Sequence, residues 1–147
     1  SIYINCLGQI KFFKNLLIKN KKKRKILFFA GGGTNNAVEN YSAYTLSKIL
    51  LIKFVELLDF EEKLISIGIL GPGYIETKLH KKKIINKENQ RKKVDKVIRF
   101  VNWFFLKSKK IVSGRNFSLI NDEWGTKKLD NLLKKNQDLY KLRRYGN

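Results

Sequence analysis

The sequence predicts an α/β fold in which about three parallel strands form part of a doubly wound sheet. Two short and almost wholly apolar runs, residues 26–30 and 64–70, are typical of strands buried on both faces. Longer segments around them place apolar residues three to four positions apart, which is typical of helices. Because helices alternate with strands, we expect the strands to run parallel through right-handed crossovers.

The first sixty residues predict two helices with one strand between them. Residues 1–20 form the first predicted helix, and a basic turn over 19–25 leads to the strand 26–30. A loop rich in glycine and asparagine, 31–40, precedes the second predicted helix, 41–60. The apolar positions that predict the first helix are Ile2, Cys6, Ile10, Phe13 and Leu17.

The second part of the chain predicts two strands, two helices and a charged loop. The strand 64–70 is followed by a charged loop or lid over 80–93 and by a helix over 94–106. A third strand is expected over 110–120 and a final short helix over 127–135. The residues of the 94–106 helix that we expect to face the core are Val97, Ile98, Val101, Phe104 and Phe105.

These elements predict a partial domain over residues 1–135 and a polar C-terminal tail over 136–147. Three parallel strands make a poor independent sheet, because such sheets need both faces and their edges covered. The pattern is that of the C-terminal half of a doubly wound domain, with the N-terminal half absent. The helix 41–60 is apolar almost all round in its middle, so we expect a partner subunit to cover the side that the sheet does not. This predicts a homo-oligomer formed through the helices 1–20 and 41–60.

Composition limits the possible functions. A net charge of +20 and a pI near 10.1 make nucleic acid a partner to consider. Charge alone specifies no site, and a lysine- and asparagine-rich chain is also typical of AT-biased coding sequence, so nucleic acid is the minor alternative. One cysteine and one histidine exclude an internal disulfide framework and a His/Cys metal cage, and they fit a cytoplasmic location. We expect no membrane segment, because no apolar run reaches about 20 residues.

The sharpest chemical motif is Tyr44-Thr45-Leu46-Ser47-Lys48. Residues four apart on a helix share one face, so the Tyr44 phenol and the Lys48 ammonium group are expected side by side. A cation beside a phenol favours the phenolate, which suits a group that gives a proton to a carbonyl oxygen or takes one from an alcohol. The donors of a lysine also suit the vicinal hydroxyls of a ribose. The same spacing arises by chance on many helices, so the neighbouring motifs decide its meaning.

Those neighbours resemble the short-chain dehydrogenase/reductase family in order and spacing. Tyr41 to Lys48 is similar to the family's S-A-Y-x-x-S-K, and 71–77 (GPGYIET) is similar to its P-G-x-[IV]-x-T. Asn5 begins a segment, NCLG, that resembles the helix motif N-x-x-G, and 112–115 (VSGR) resembles the entry to the family's last strand. The resemblance covers about residues 1–125.

The resemblance implies a Rossmann-like NAD(P)-dependent oxidoreductase acting on a small-molecule carbonyl or secondary alcohol. It makes Tyr44 the catalytic acid/base, Lys48 the residue that orients the ribose, and Asn5 the holder of a water in a proton relay. It also implies that the Ile75 backbone holds the carboxamide and that Thr77 bonds the amide or a phosphate. The cofactor-binding residues implied in this way are Tyr44, Lys48, Pro72, Gly73, Ile75 and Thr77.

Two departures from the family pattern weaken the implied activity. The family places a serine 13 or 14 positions before the tyrosine, and this chain has Gly31 and Ala30 there. Losing one such donor to the substrate oxygen commonly costs about 3 kcal/mol of transition-state stabilisation. The nearest hydroxyls in the sequence are those of Thr34 and Ser42, and neither can be assigned the role from sequence. The glycine-rich loop 31–36 lacks a third glycine at position 36, and no acidic residue lies about 20 positions after Gly31, so the loop is not a dinucleotide fingerprint.

We therefore expect these 147 residues to hold one half of an oxidoreductase site and to bind a dinucleotide weakly by themselves. The alternatives are an inactive, truncated or degenerate member of the family, and a basic module that uses the same scaffold to bind nucleic acid. In the second alternative, the phosphate contacts would come from 19–25 and 80–93.

Overall fold

Three parallel strands and flanking helices form the described part of the protein. The computed structural model describes residues 2–18, 23–31, 34, 36, 38–75 and 87–143. Within these ranges the strands form one sheet in the order β1-β2-β3, and both strand pairs are parallel. The predicted α/β class with about three parallel strands is confirmed, and the sheet is consistent with part of a Rossmann-like fold.

The elements follow one another in the alternating order that the sequence predicts. A π-helical segment, Tyr3–Leu7, continues into α1, Gly8–Ile18. The remaining elements are β1 (Arg24–Phe29), α2 (Ser42–Glu61), β2 (Ile65–Gly71), α3 (Lys87–Leu106), α4 (Lys109–Val112), β3 (Asn116–Ser118) and α5 (Lys127–Lys135).

Strand β2 is the centre of the sheet and separates two apolar clusters. Its isoleucines Ile65, Ile67 and Ile69 pack with α2 and with Phe13 of α1 on one face. On the other face, Leu70 packs with aromatic residues of α3 and with leucines of α5. Gly68 lies on this second face, where a Cβ would come within 2.5 Å of Phe104, so the glycine lets that ring pack directly on the sheet.

Two predicted elements in the second half of the chain have wrong boundaries. Residues 87–93 belong to α3 and not to the predicted charged loop, because polar side chains can line the exposed face of a helix, here with a 2.8 Å ion pair between Glu88 and Lys92. The strand predicted over 110–120 is wrong at both ends. Its first residues lie in α4, Gly114 then turns with φ +73°, and only Asn116–Ser118 pair with β2.

The predicted inward face of α3 is wrong at two positions. Ile98 and Phe105 are exposed, whereas Phe100 and Trp103 are buried together with Phe104. Packing against β2 and β3 sets the rotation of this helix, and the two aromatic residues fill the core where the apolar period alone did not place them. Strand β1 is only half-buried, in contrast to the predicted burial on both faces, because it lies at the edge of the described sheet.

Residues 136–143 lie against the core, although the sequence predicts a polar tail from 136. Leu139 and Tyr140 pack against the cluster around Phe100, and the Tyr140 carbonyl accepts a hydrogen bond from Asn116 N at 2.8 Å. The buried Arg115 guanidinium reaches the same segment, where it donates to the carbonyls of Leu133, Asn136 and Leu139. One guanidinium therefore holds the end of α5 and the following turn against β3.

No helix among the described ranges is both long enough and apolar enough to cross a lipid bilayer.

The packing of Tyr140 predicts a specific loss of stability at alkaline pH. Burial, followed by the nearby Asp122 carboxylate and its hydrogen bond, raises the pKa of Tyr140 to about 12 from an ordinary value of 10.0. The neutral phenol thus stabilises the native state below pH 10, and this contribution is lost as the pH rises through about 12. The free energy of unfolding, measured with urea across this pH range, should fall more steeply with pH in the wild type than in Tyr140→Phe. At neutral pH the variant should be about 1 kcal/mol less stable. If the free energy of unfolding of the two proteins fell in parallel above pH 10, the assignment of this loss to Tyr140 would be contradicted.

Candidate functional site

The candidate site lies where the carboxyl ends of β1 and β2 meet. The two strands pair from Arg24 and Ile65 up to Phe29 and Leu70, and Ala30 N continues the ladder by donating to Leu70 O at 2.8 Å. Since the strands are parallel, residues that follow them in sequence lie at the same edge of the sheet. This edge is the usual position of ligand sites in open α/β sheets.

Helix α2 brings Tyr44 and Lys48 to this edge. Both lie in its first two turns, and Lys48 Nζ is 5.7 Å from the centroid of the Tyr44 ring. Tyr44 is half-buried, with Tyr41 packed edge-on against its ring at 6.0 Å. The predicted side-by-side arrangement of the phenol and the ammonium group is therefore present.

Lys48 is a buried cation held at the end of β1. Its side chain is 7% exposed, and Nζ donates to the Phe29 carbonyl at 3.1 Å. Burial lowers the pKa of Lys48, and attraction to the Cys6 side chain opposes part of that shift. Because an ammonium group has three donors, the hydrogen bond to Phe29 leaves two for hydroxyl groups of a ligand.

The π-helical segment lies beside Lys48 and contains Asn5. Gly8 N donates to Tyr3 O, which widens the helix across Asn5 and Cys6. Asn5 is half-buried, and its carbonyl accepts a 3.0 Å hydrogen bond from Gln9 Nε2. Cys6 is buried, and burial raises the pKa of its thiol, with Lys48 acting in the opposite direction. The π-helical segment that carries Asn5 thus packs against α2, the helix of Lys48.

Gly31 lies directly against the Tyr44 phenol. A Cβ built on Gly31 would fall 2.6 Å from Tyr44 Cζ and closer still to the hydroxyl oxygen. At such distances the two groups overlap, so Tyr44 can occupy this position only because residue 31 has no side chain. Gly31 therefore provides the space that the phenol occupies, which the sequence pattern did not indicate.

Of the two hydroxyls nearest in sequence, the structure brings Thr34 to Gly31. Thr34 Oγ1 lies 3.5 Å from the Gly31 carbonyl oxygen. Ser42 is exposed at the start of α2. Ala30, the other candidate position for the serine, is buried in the cluster between the sheet and α2. The Thr34 hydroxyl is thus bonded to the main chain of the loop that follows β1.

The predicted cofactor loop begins at the same edge of the sheet. Pro72, Gly73 and Ile75 follow β2 directly, and Gly73 has φ +73° with Ile120 packed close to its Cα. Lys93 of α3 donates to the Tyr74 carbonyl at 3.3 Å and so ties the loop to that helix. Thr77 lies outside the described residues.

These residues fit the ribose and nicotinamide part of a dinucleotide. Lys48 offers two donors for vicinal hydroxyls, and Tyr44 presents a phenol at the same edge. In the described ranges, no three His, Cys, Asp or Glu side chains form a group that could hold a metal ion.

Sequence reasoning missed the roles of Cys6 and Gly31 in this arrangement. The helical period predicts only an apolar position at Cys6, whereas Cys6 lies close enough to Lys48 to affect the pKa of that lysine. The sequence shows only the lack of a hydroxyl at Gly31, whereas the lack of a Cβ is what admits the tyrosine. The sequence does contain a signal for the position of Cys6 near the site, because Cys6 directly follows the motif residue Asn5.

Comparisons of the chain with protein-family models, with curated proteins and with solved structures gave no match.

The contact between Gly31 and Tyr44 predicts a strong dependence of stability on residue 31. Gly31→Ala should lower the free energy of unfolding by about 1–3 kcal/mol, because the added methyl group overlaps the phenol. In a Tyr44→Ala background, where the overlapping ring is gone, the same change should cost far less. Urea unfolding of wild type, the two single variants and the double variant gives the coupling energy between residues 31 and 44 directly.

Gly71→Ala is the matched control, at the end of the neighbouring strand. A Cβ there would meet the Phe117 carbonyl oxygen at an ordinary 3.5 Å. We expect the free energy of unfolding of this variant to differ from that of wild type by no more than about 0.5 kcal/mol. Equal effects of the changes at 31 and 71 would show that Tyr44 does not lie against Gly31.

Proposed function

We propose that this chain carries the catalytic side of a short-chain dehydrogenase/reductase site and takes part in NAD(P)-dependent interconversion of a carbonyl and a secondary alcohol. The observation that carries the proposal is the Tyr44/Lys48 pair at the carboxyl edge of a parallel sheet. The π-helical segment with Asn5 and the loop with Pro72, Gly73 and Ile75 lie around this edge in the order that the family resemblance implies.

In the proposed reaction Tyr44 handles the proton. When bound, NAD(P) supplies or accepts the hydride. In the reducing direction, the Tyr44 hydroxyl gives its proton to the carbonyl oxygen of the substrate, and in the oxidising direction the phenolate takes the proton of the alcohol. The buried Lys48 ammonium, 5.7 Å from the centre of the Tyr44 ring, donates to the ribose hydroxyls.

In this proposal, Thr34 supplies the second hydrogen-bond donor to the substrate oxygen. Its hydroxyl donates to the Gly31 carbonyl oxygen, and Gly31 contacts the Tyr44 phenol. To bind a substrate oxygen, the Thr34 hydroxyl would turn from that carbonyl and donate its single proton to the substrate. A serine at position 31 would not restore the family arrangement, because its Cβ would displace Tyr44.

The contact at Gly31 also favours a second candidate function, a degenerate member of the family without catalysis. If Thr34 does not donate to the substrate oxygen, the site lacks one of the two donors that stabilise the transition state. An activity assay with a matched tyrosine control separates the two candidates.

Tyr44→Phe should abolish most of the activity of the protein. Removal of the only proton donor in the proposed mechanism should lower kcat/KM by about 100-fold or more. The assay follows the absorbance of NADH and NADPH with a panel of small aldehydes and ketones. Tyr41→Phe is the control, because its ring packs on Tyr44 while its side chain is exposed and lies outside the proposed chemistry. A wild-type chain without turnover would favour the degenerate function, and a Tyr44→Phe variant as active as Tyr41→Phe would contradict the role of Tyr44 in the proposed mechanism.

We also propose that the protein is a cytoplasmic homo-oligomer that associates through the helices predicted at 1–20 and 41–60. The support is a set of exposed apolar side chains on the π-helical segment, α1 and α2. On α2 the exposed leucines Leu46 and Leu50 lie one turn apart, and they are followed along the helix by Leu57 and Phe60. Such a surface is stabilised when a second copy covers it.

Leu46→Glu/Leu50→Glu should reduce the mass of the particle to that of a monomer, because it places charge in the proposed interface. Light scattering coupled to size-exclusion chromatography measures this at micromolar concentration. Leu106→Glu is the control, since Leu106 is 84% exposed and belongs to α3. Association of the double variant at wild-type strength, or a monomeric wild type, would contradict the proposed interface.

A further inference from the structure

The amino-terminal edge of the sheet holds a second concave site, opposite the edge with Tyr44. A pocket of about 340 Å³ lies where β1 and β2 begin, and it is lined by five cationic side chains: Lys23, Arg24, Lys25, Lys63 and Lys109. Its volume is within the range of about 300–1,000 Å³ that is typical of small-molecule sites. Arg24 pairs with Ile65 at the first position of the sheet, so the pocket and the Tyr44 site are separated by the whole length of the strands.

Three of these cations have no carboxylate partner among the described residues. Lys25 donates to the carbonyls of Phe105 and Lys107, and Lys63 donates to the Phe60 carbonyl at 2.9 Å. Lys23 is exposed and forms no ion pair within the described part of the chain. Carbonyl partners hold an ammonium group in place without cancelling its charge, so the pocket is strongly positive.

The charge of the fourth lysine is neutralised by a carboxylate, and its side chain has a fixed position in the pocket lining. Lys109 forms an ion pair of 2.6 Å with Asp59 and donates to the carbonyls of Glu62 and Ile65. These contacts fix the loop between α2 and β2, which carries Lys63. The position of the pocket lining therefore follows from the packing of the fold.

A serine hydroxyl is available in the same pocket. Ser66 of β2 lines the pocket, and no hydrogen bond to its hydroxyl occurs within the described residues. The hydroxyl is therefore free to donate to a ligand that accepts hydrogen bonds.

We infer that this pocket binds a compact phosphorylated anion, with Lys23, Lys25 and Lys63 supplying charge and Ser66 supplying a directed hydrogen bond. A phosphate group carries the several acceptor oxygens and the multiple negative charge that this set of donors requires. The same chemistry is offered by a free polyphosphate chain and by the backbone of a nucleic acid strand. The concave shape favours the compact ion. The site is independent of the proposed oxidoreductase chemistry, because it lies at the other edge of the sheet.

The test is calorimetric titration of the full chain with sodium tripolyphosphate at low ionic strength. Lys23→Gln/Lys63→Gln should weaken binding about tenfold or more, because two uncompensated charges leave the pocket. The matched control is Lys134→Gln/Lys135→Gln, which removes the same charge from two exposed lysines of α5 that do not line the pocket. The control should retain the wild-type affinity within about twofold. Equal weakening of the two double variants would show diffuse attraction to a basic protein and overturn the proposal, as would the absence of binding by the wild type.

Ser66→Ala tests the pocket without any change in charge. We expect it to weaken tripolyphosphate binding about threefold to tenfold, which is the effect of one hydrogen bond. Wild-type affinity in this variant would overturn the proposed geometry. Unchanged thermal unfolding midpoints of all variants establish that the fold is retained.

A single-stranded oligothymidylate titrated into the same four proteins distinguishes the sources of the phosphate. If the pocket variants weaken tripolyphosphate binding but leave oligonucleotide binding equal to the control, the ligand is a compact polyphosphate, as proposed. If the oligonucleotide binds more tightly than tripolyphosphate and depends on the same pocket residues, the compact ligand is overturned in favour of a nucleic acid strand.

Discussion

The packing of strand β2 on both of its faces and along both of its edges is the constraint on which the rest of the structure depends. Its isoleucines on one face hold α2, and Gly68 on the other face admits Phe104 of α3. Because β2 pairs in parallel with β1 and β3, the carboxyl ends of the strands converge at one edge and the amino ends of β1 and β2 at the other. The Tyr44 site and the cationic pocket are the two consequences of this arrangement.

Main-chain carbonyl groups hold several of the basic side chains of this protein. Lys25 binds carbonyls at the end of α3, Lys48 binds the end of β1, and Arg115 binds the end of α5 and the turn that follows it. Such contacts satisfy carbonyls that have no partner within a helix or strand. They leave the positive charge uncancelled, so a chain with few carboxylates can bury cations and still present a positive surface.

The contact between Gly31 and Tyr44 connects backbone geometry with the proposed chemistry. A missing side chain at residue 31 removes a hydroxyl and at the same time creates the space that the phenol occupies. Gly31 thus contacts the Tyr44 phenol on one side, and Lys48 lies near the Tyr44 ring on the same helix. The contact at Gly31 is why the departure from the family pattern cannot be judged as the loss of a single donor.

The sequence by itself determined the α/β class, the alternation of helices and strands, and the pairing of Tyr44 with Lys48. These features depend on local periodicity, and a period of four on a helix or a short apolar run already defines them. The bounds of α5 follow in the same way, since Thr126 caps its first turn through a hydrogen bond to Leu129 N. Only the tertiary structure decided the rotation of α3, the shortening of β3 to three residues and the packing of residues 136–143 on the core. It also placed Gly31 against the phenol, Cys6 beside Lys48 and five cations around one pocket, because each of these depends on contacts between residues that are distant in sequence or in different elements.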